Sequence, residues 1–376
     1  MKAFLIAPNA FKGSLSATEA AKAIKRGIQK ADSSFSIKSI PLADGGDGTS
    51  RLLSKQIGAE WIQIETLNAV GKSISAGFGF QREKSLAIID IAEASGIQHL
   101  SIDELNPKTA SSYGTGLLIL KAIELGAKHI WIGLGGSASI DGGIGILQAL
   151  GFSFFSLENR PLKNPVLEMD KIVSISAPNS GLSEIEFSLL CDVENPLLGR
   201  NGCVAIFGQQ KGVKPHEVEY FETRLKNWAI AIQGHSDLVD LESKPKLGAA
   251  GGIAFGLQVC LKAKLFSGSD FFLQHVGFEK QLEIADILIT GEGKFDRQSS
   301  QGKITGRVIK IAQNINKQVY VLVGKLDAGI SESDYRNVQF IEISKHRQNL
   351  ASAIEHTSED LEKAAYEIAR SVKSPQ

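Results

Sequence analysis

The sequence has few cysteines, no net charge and no long apolar segment. Its three cysteines among 376 residues are scattered and form no CxxC pair, which disfavours a disulfide framework and favours a reducing, cytoplasmic location. The 41 basic and 41 acidic residues balance, so we expect neither nucleic acid nor an anionic membrane as a partner. Because no apolar run reaches ~18 residues, no transmembrane helix is predicted.

Several chemical signatures are also missing. The seven histidines form no HExxH motif and no Cys/His cluster, which disfavours a structural zinc site. No GxSxG elbow is present, which disfavours an α/β-hydrolase. No GxGxxG string follows the first predicted strand, where a dinucleotide-binding fold would place it.

Glycine, by contrast, is abundant and clustered. The 38 glycines concentrate in the strings DGGDG, GLGGS, DGGIG, GAAGG and GEGK. In an α/β pattern, such clusters are typical of loops that turn sharply or approach a ligand.

The order of predicted elements indicates an α/β fold with two domains. The chain opens as strand, helix and strand, and a capping box of Ser16 and Glu19 predicts the helix start. The C-terminal third resumes this pattern, whereas closely spaced strands in residues 61–91 predict a mixed sheet. We therefore predict a doubly wound, Rossmann-like α/β domain from residues 1–60 plus 281–376. We predict that residues 61–280 form an inserted α/β domain with a mixed sheet, and we expect the active site in the cleft between the two domains.

Four loops at predicted strand ends combine glycines with charged residues, and ligands of open α/β sheets collect at such ends. The loops are residues 8–14, 43–49, 133–145 and 290–296. For each loop a plain alternative stands beside the functional one: a solvated lysine, a tight Asp-Gly turn, or close helix–sheet packing through glycine.

The first two loops carry charge of opposite sign. Lys12 precedes a predicted helix N terminus, which favours a carboxylate or phosphate there. Asp44 and Asp47 alternate with three glycines, which suits a metal or a hydroxyl group. Calcium is disfavoured because the downstream Glu of an EF-hand is absent.

The other two loops suggest phosphate or metal contacts. The string GLGGSASIDGG lies between a predicted strand and helix and suits phosphate, although it lacks the lysine of a P-loop. In GEGKFD a cation lies beside two carboxylates, and Lys303 and Thr305 could extend the same anion site. Asp192 emerges from the apolar strand FSLLCDV, where an unpaired carboxylate would be costly, and Lys211 follows between glycines.

Six strings together resemble the type I glycerate kinase family. They are APNAFKGSLSATEAA, PLADGGDGT, GLGGSASIDGGIGILQALG, CDVENPLLG with FGQQKG, GAAGGIAFGL and DILITGEGKFDRQSSQGK, in the family's order over residues 7–303. The resemblance implies transfer of the ATP γ-phosphate to D-glycerate with Mg²⁺, with 2-phosphoglycerate favoured over 3-phosphoglycerate. It also implies two α/β domains with a cleft, in a monomer or homodimer.

On this resemblance we assign candidate roles. Asp192 is the favoured base and Asp44 the alternative, with Lys12 also catalytic. The substrate site is assigned to Lys12, Ser14, Asp44 and Asp47. The nucleotide phosphates are assigned to Gly135, Gly136, Ser137, Lys211, Gly291, Gly293 and Lys294. Mg²⁺ is assigned to one or two of Asp141, Glu292 and Asp296, held through water.

The chain departs from the family at a few positions. Asn9-Ala10 replaces a frequent Asp-Ser, Ile140 replaces an Asn, and Phe295 and Arg297 replace Ile and Ser. The alternatives are a kinase of another small hydroxy acid or polyol, and a non-catalytic phosphometabolite-binding regulator on the same scaffold.

Overall fold

The computed structural model describes residues 2–179, 181–233 and 243–373. The chain forms two compact units. Unit 1 contains the chain up to Asp44 and again from Ser269 onward, and unit 2 contains Gly45–Gly268. Unit 1 is therefore assembled from two chain segments that are distant in sequence.

The strands, in chain order, are β1 (Ala3–Pro8), β2 (Ser36–Ser39), β3 (Glu60–Leu67), β4 (Ser73–Gln81), β5 (Leu86–Asp90), β6 (His129–Gly133), β7 (Ser153–Phe155), β8 (Ser174–Ser176), β9 (Glu186–Leu190), β10 (Lys264–Phe266), β11 (Ile287–Phe295), β12 (Gln318–Leu326) and β13 (Val338–Glu342).

The helices are α1 (Ala17–Ala31), α2 (Thr49–Ile57), α3 (Ile91–Ser95), α4 (Tyr113–Glu124), α5 (Ile144–Ala149), α6 (Cys203–Phe207), α7 (Val218–Gln233), α8 (Ile253–Leu261), α9 (Gly268–His275), α10 (Phe278–Ile284), α11 (Arg297–Gln301), α12 (Ile304–Asn314), α13 (Leu350–Glu355) and α14 (Thr357–Lys373). Within the described ranges no helix is both long and apolar enough to span a bilayer.

Unit 1 contains a five-stranded parallel sheet in the order β13-β12-β11-β1-β2. Its apolar strands bury one face against α1 and α14, and Phe4, Ile24 and Leu361 are among the buried side chains. Gly27 allows the two helices to approach closely, because a Cβ at this position would lie 2.1 Å from the Glu362 carbonyl oxygen. The predicted capping box is confirmed, since the Ser16 side chain accepts the Glu19 N–H and the Glu19 carboxylate accepts the Ser16 N–H.

One predicted loop of unit 1 is a strand. Residues 290–295 continue β11 and pair with β12, which likewise runs past Gly324. The glycines that suggested a loop serve the strand packing instead. A Cβ on Gly291 would lie 1.9 Å from the Leu322 carbonyl oxygen, so only glycine fits there. The sequence-based prediction of a flexible GEGK loop was wrong for this reason.

Unit 2 contains a six-stranded sheet in the order β10-β9-β6-β5-β4-β3. The strands β3, β4 and β5 are antiparallel neighbours, whereas β5, β6, β9 and β10 run parallel. This confirms the predicted mixed sheet. Helices that include α4, α5, α7 and α8 cover its apolar face in a single large core, in which Trp228 and Phe255 are fully buried.

The unit boundaries fall earlier than the predicted domain limits at residues 60 and 280. Helix α2 belongs to unit 2 because it packs on β4 and β5, and Gly79 allows a close approach to the Ser54 side chain. Helix α10 belongs to unit 1 because it packs on β1.

Candidate functional site

Polar groups of unit 2 gather at the carboxyl ends of three neighbouring parallel strands. Asp90 ends β5, Gly133 ends β6 directly opposite it, and Leu190 ends β9 opposite Gly133. The glycine loop (residues 133–137) follows β6, and Asp192 follows β9. Because these strands are parallel, their carboxyl ends meet at one edge of the sheet, where α/β proteins bind ligands.

The acidic loop (residues 45–48) lies against the glycine loop. The Gly135 N–H donates to the Gly45 carbonyl oxygen at 3.1 Å. A Cβ on Gly135 would lie 2.4 Å from the Gly46 Cα, and a Cβ on Gly136 would lie 1.9 Å from Asp47 Oδ1. The glycines therefore allow two predicted loops, distant in sequence, to touch through main chain and carboxylate.

Lys211 lies beneath the glycine loop. Its side chain is buried, and Nζ donates to Ser137 Oγ at 2.6 Å and to the Ser139 carbonyl oxygen at 2.8 Å. Burial lowers the pKa of the Lys211 ammonium to about 8, because desolvation disfavours the charged form. The structure thus brings together Lys211 and Ser137, both of which the sequence analysis assigned to the nucleotide phosphates.

Asp192 is half-buried at the same strand edge. Its Oδ1 accepts a hydrogen bond from Ser267 Oγ at 2.8 Å, just after β10. A carboxylate that leaves an apolar strand therefore has a hydroxyl partner, as its burial requires.

Asp141, one of the residues assigned to Mg²⁺, is engaged entirely by the protein. Its carboxylate accepts hydrogen bonds of 2.7–3.3 Å from the Ser112 N–H and hydroxyl, the Ser139 hydroxyl, and the N–H groups of Gly143 and Gly145. A carboxylate offers about four acceptor positions, so these five donors leave little for a metal. Asp141 instead ties the start of α4 to the start of α5.

The sequence analysis missed Asp90. Its carboxylate is 1% exposed, and Oδ2 accepts the Ser50 N–H at 2.9 Å. Burial, opposed in part by that hydrogen bond, raises the pKa of the Asp90 carboxyl to about 8. A signal was present, because Asp90 ends the buried run LAIID much as Asp192 follows FSLLC.

In unit 1 the first predicted loop follows β1. Lys12 is exposed in a tight turn, and the Ser14 hydroxyl donates to the Ile354 carbonyl oxygen at 2.8 Å. The capping box already occupies N–H groups at the α1 N terminus, so fewer of them are available to bind an anion than the sequence indicated. Asp44 is half-buried and follows Leu42, whose N–H bonds to Pro8 at the end of β1.

The remaining unit 1 candidates lie along β11. Burial raises the pKa of the Glu292 carboxyl, and its Oε1 has no hydrogen-bond partner among the described residues. The exposed Lys294 ammonium lies 3.7 Å from Asp296 Oδ2 and 3.6 Å from Asp327 Oδ2. Gly291 and Gly293 lie within the strand β11 that pairs with β12, and not in the predicted loop.

In the described part of the chain, no group of three or more His, Cys, Asp or Glu side chains is arranged to hold a metal. A magnesium ion bound with a nucleotide needs only one or two carboxylates, because phosphate oxygens and water complete its shell. The edge formed by Asp90, Asp47 and the glycine loop fits that requirement, because Asp90 Oδ1 is buried and lacks a partner among the described residues.

The fold and its glycine loops at strand ends place the chain among α/β proteins of the kinase type. A crystal structure of a Salmonella typhimurium LT2 protein assigned as glycerate kinase 2 matches with a TM-score of 0.81 at 32% identity. The match covers 99% of this chain and 98% of that one.

The chain belongs to the glycerate kinase family, whose family model matches residues 4–373. It is similar to the glycerate kinase of Bacillus subtilis (strain 168), with 34% identity over 374 residues that cover 98% of this chain and 97% of that protein. It is also similar to the glycerate 2-kinase of Escherichia coli (strain K12), with 34% identity over 334 residues that cover 87% and 86%.

Proposed function

We propose that this protein is an ATP- and Mg²⁺-dependent glycerate kinase that phosphorylates a hydroxyl of D-glycerate, with the 2-hydroxyl favoured. The observation that carries the proposal is the meeting of the glycine loop, the acidic loop and Asp192 at one strand edge. Phosphoryl transfer needs such groups, because the protein contributes to this reaction mainly by positioning the reactants and neutralising charge. Membership of the glycerate kinase family and the name of the Escherichia coli relative support the substrate and the position.

The glycine loop is proposed to hold the nucleotide phosphates. Its main chain at Gly135 and Gly136 is half-buried at this strand edge, and the buried Ser137 hydroxyl accepts a hydrogen bond from Lys211. Lys211 donates one N–H to Ser137 of this loop and a second to the Ser139 carbonyl just after it, so it acts by fixing the end of the loop and by adding positive charge. Mg²⁺, when bound with ATP, would neutralise the charge of the phosphates.

Asp192 is the proposed base. The substrate hydroxyl oxygen forms a bond to the γ-phosphorus, the bond from the γ-phosphorus to the bridging oxygen breaks, and ADP leaves. The hydroxyl proton passes to Asp192, which Ser267 holds in one orientation. In unit 1, Lys12 and Asp44 are the proposed substrate groups, and the Lys12 ammonium is proposed to bind the glycerate carboxylate. A cytoplasmic location, where ATP is available, belongs to the same proposal.

The activity is tested with purified protein, ATP, Mg²⁺ and D-glycerate. We expect ADP release that depends on D-glycerate, and phosphorus NMR should identify the phosphorylated position. A panel of other small hydroxy acids and polyols tests the choice of substrate. ADP release that does not depend on any of these acceptors would contradict a kinase.

The role of Asp192 is tested by Asp192→Asn, which should lower kcat by ~100-fold or more if this carboxylate accepts the proton. Glu194→Gln is the matched control, because Glu194 is exposed on the same segment and forms an ion pair with Lys246. An Asp192→Asn variant with the kcat of the Glu194→Gln control would remove Asp192 from the role of base.

A further inference from the structure

Several buried polar atoms of unit 2 have no hydrogen-bond partner among the described residues, and two of them belong to one junction of the strand edge. These two are Asp90 Oδ1 and Ser50 Oγ, in residues that are 1% and 0% exposed. The other carboxylate oxygen of Asp90 accepts the Ser50 N–H, so both atoms belong to one junction between the end of β5 and the start of α2. Unsatisfied groups of this kind are rare and call for an explanation such as a bound water or ion.

Asp90 Oδ1 is directed at the glycine loop. A Cβ on Gly133 would lie 2.2 Å from this oxygen, and a Cβ on Gly136 would lie 1.9 Å from Asp47 Oδ1. Two carboxylates from different chain segments therefore face the same short loop, at its first and fourth residues. The missing side chains of Gly133 and Gly136 leave the space that both carboxylates use.

The charges at this junction are negative. The ionisable groups that act on Asp90 are Glu93 and Asp47, both acidic. Glu93 is neutralised by a bidentate contact with Arg51, at 2.7 and 2.9 Å. Within the described ranges, no Lys or Arg side chain pairs with the Asp90 carboxylate. A cation bound between these acidic side chains and nucleotide phosphates would attract both.

We propose that Asp90 and Asp47, with the Ser50 hydroxyl, hold the divalent cation that accompanies the nucleotide phosphates at the glycine loop. This assignment rests on the proposed function, because it takes the phosphates from a bound nucleotide. The cation is then assigned to Asp90 and not to Asp141, whose carboxylate already accepts five hydrogen bonds. Asp47, which the sequence analysis assigned to the substrate, becomes a ligand of the cation. The chemistry is that of Mg²⁺, which is commonly held by one or two carboxylates with phosphate oxygens and water.

The test measures ADP binding by calorimetry, once with Mg²⁺ and once with EDTA. For the wild type, Mg²⁺ should strengthen ADP binding. Asp90→Asn should reduce this strengthening by ~10-fold or more, in the range that metal-site substitutions cost. The same variant should bind ADP in EDTA as well as the wild type does, because a residue that acts through the cation has no role when the cation is absent. A merely structural role for Asp90 would weaken ADP binding in both conditions.

Two further variants complete the design. Asp47→Asn changes an exposed loop residue, so it tests the cation site even if Asp90→Asn folds poorly, and it should lose the Mg²⁺ effect in the same way. Asp103→Asn is the control, because Asp103 is an exposed acidic residue elsewhere in unit 2 and should keep the full Mg²⁺ effect.

Full Mg²⁺ enhancement in both Asp90→Asn and Asp47→Asn would overturn the cation site. If that result is accompanied by wild-type phosphorylation of D-glycerate, the cation assignment fails while the proposed function stands. A folded wild type that binds no ADP in either condition would overturn both.

Discussion

The buried Lys211 ammonium makes a specific prediction about stability at alkaline pH. The folded protein lowers the pKa of Lys211 from 10.5 to about 8. Between these values the unfolded chain binds more protons than the folded protein, so the free energy of unfolding rises with pH. The contribution of Lys211 to stability is therefore lowest below about pH 8 and is restored as pH approaches 10.5. At about 1.4 kcal/mol per pH unit, the whole change amounts to about 3 kcal/mol.

Lys211→Met removes the titrating group and keeps most of the side-chain volume. We expect the free energy of unfolding of the wild type to rise relative to that of Lys211→Met between about pH 8 and about pH 10. Urea denaturation at several pH values in this interval measures the difference, and other titrating groups cancel because both proteins share them. Lys226→Met, which removes an exposed lysine of α7, should track the wild type throughout.

A second readout tests the position of Lys211 beneath the glycine loop. Lys211→Met leaves Ser137 and the Ser139 carbonyl without their donor, so the KM for ATP should rise while the KM for D-glycerate changes little. Equal pH dependence of stability in the wild type and Lys211→Met would refute the claim that burial lowers the pKa of Lys211 in the folded protein.

Two further predictions concern packing at the strand edge. Gly136→Ala should lower kcat/KM for ATP by ~10- to 100-fold, because the new Cβ would displace Asp47. Gly71→Ala is the control, because Gly71 has φ +83° and open space around it. Its backbone strain should reduce the free energy of unfolding by only ~1 kcal/mol and leave the kinetics unchanged. Asp141→Ala should reduce the free energy of unfolding by at least ~3 kcal/mol, measured by urea denaturation, because five donors lose their acceptor. Equal kinetic losses in both glycine variants, or a small loss in Asp141→Ala, would contradict these arguments.

Features set by neighbouring residues could be predicted from the sequence. Ser16 and Glu19 are three residues apart, which is all that a capping box needs, and the structure contains it. The family resemblance was confirmed over nearly the whole chain.

Features that depend on distant partners could not be predicted. The glycines of β11 resembled a loop because nothing in the sequence shows that Gly291 lies against the Leu322 carbonyl. Asp141 resembled a metal ligand because its donors include Ser112, 29 positions away in the chain. Asp90 has no glycine beside it in the sequence and was overlooked, although one oxygen of its buried carboxylate lacks a partner among the described residues.

The parallel sheet of unit 1 has a consequence for the order of assembly during translation. Its strand β1 lies between β2 and β11, and β11 is synthesised only after all of unit 2. Unit 2 is continuous in sequence and can therefore complete its core while β1 still lacks one neighbour. Because pairing over such a separation is slow, the nascent N-terminal segment exposes an apolar strand edge until the last third of the chain emerges from the ribosome.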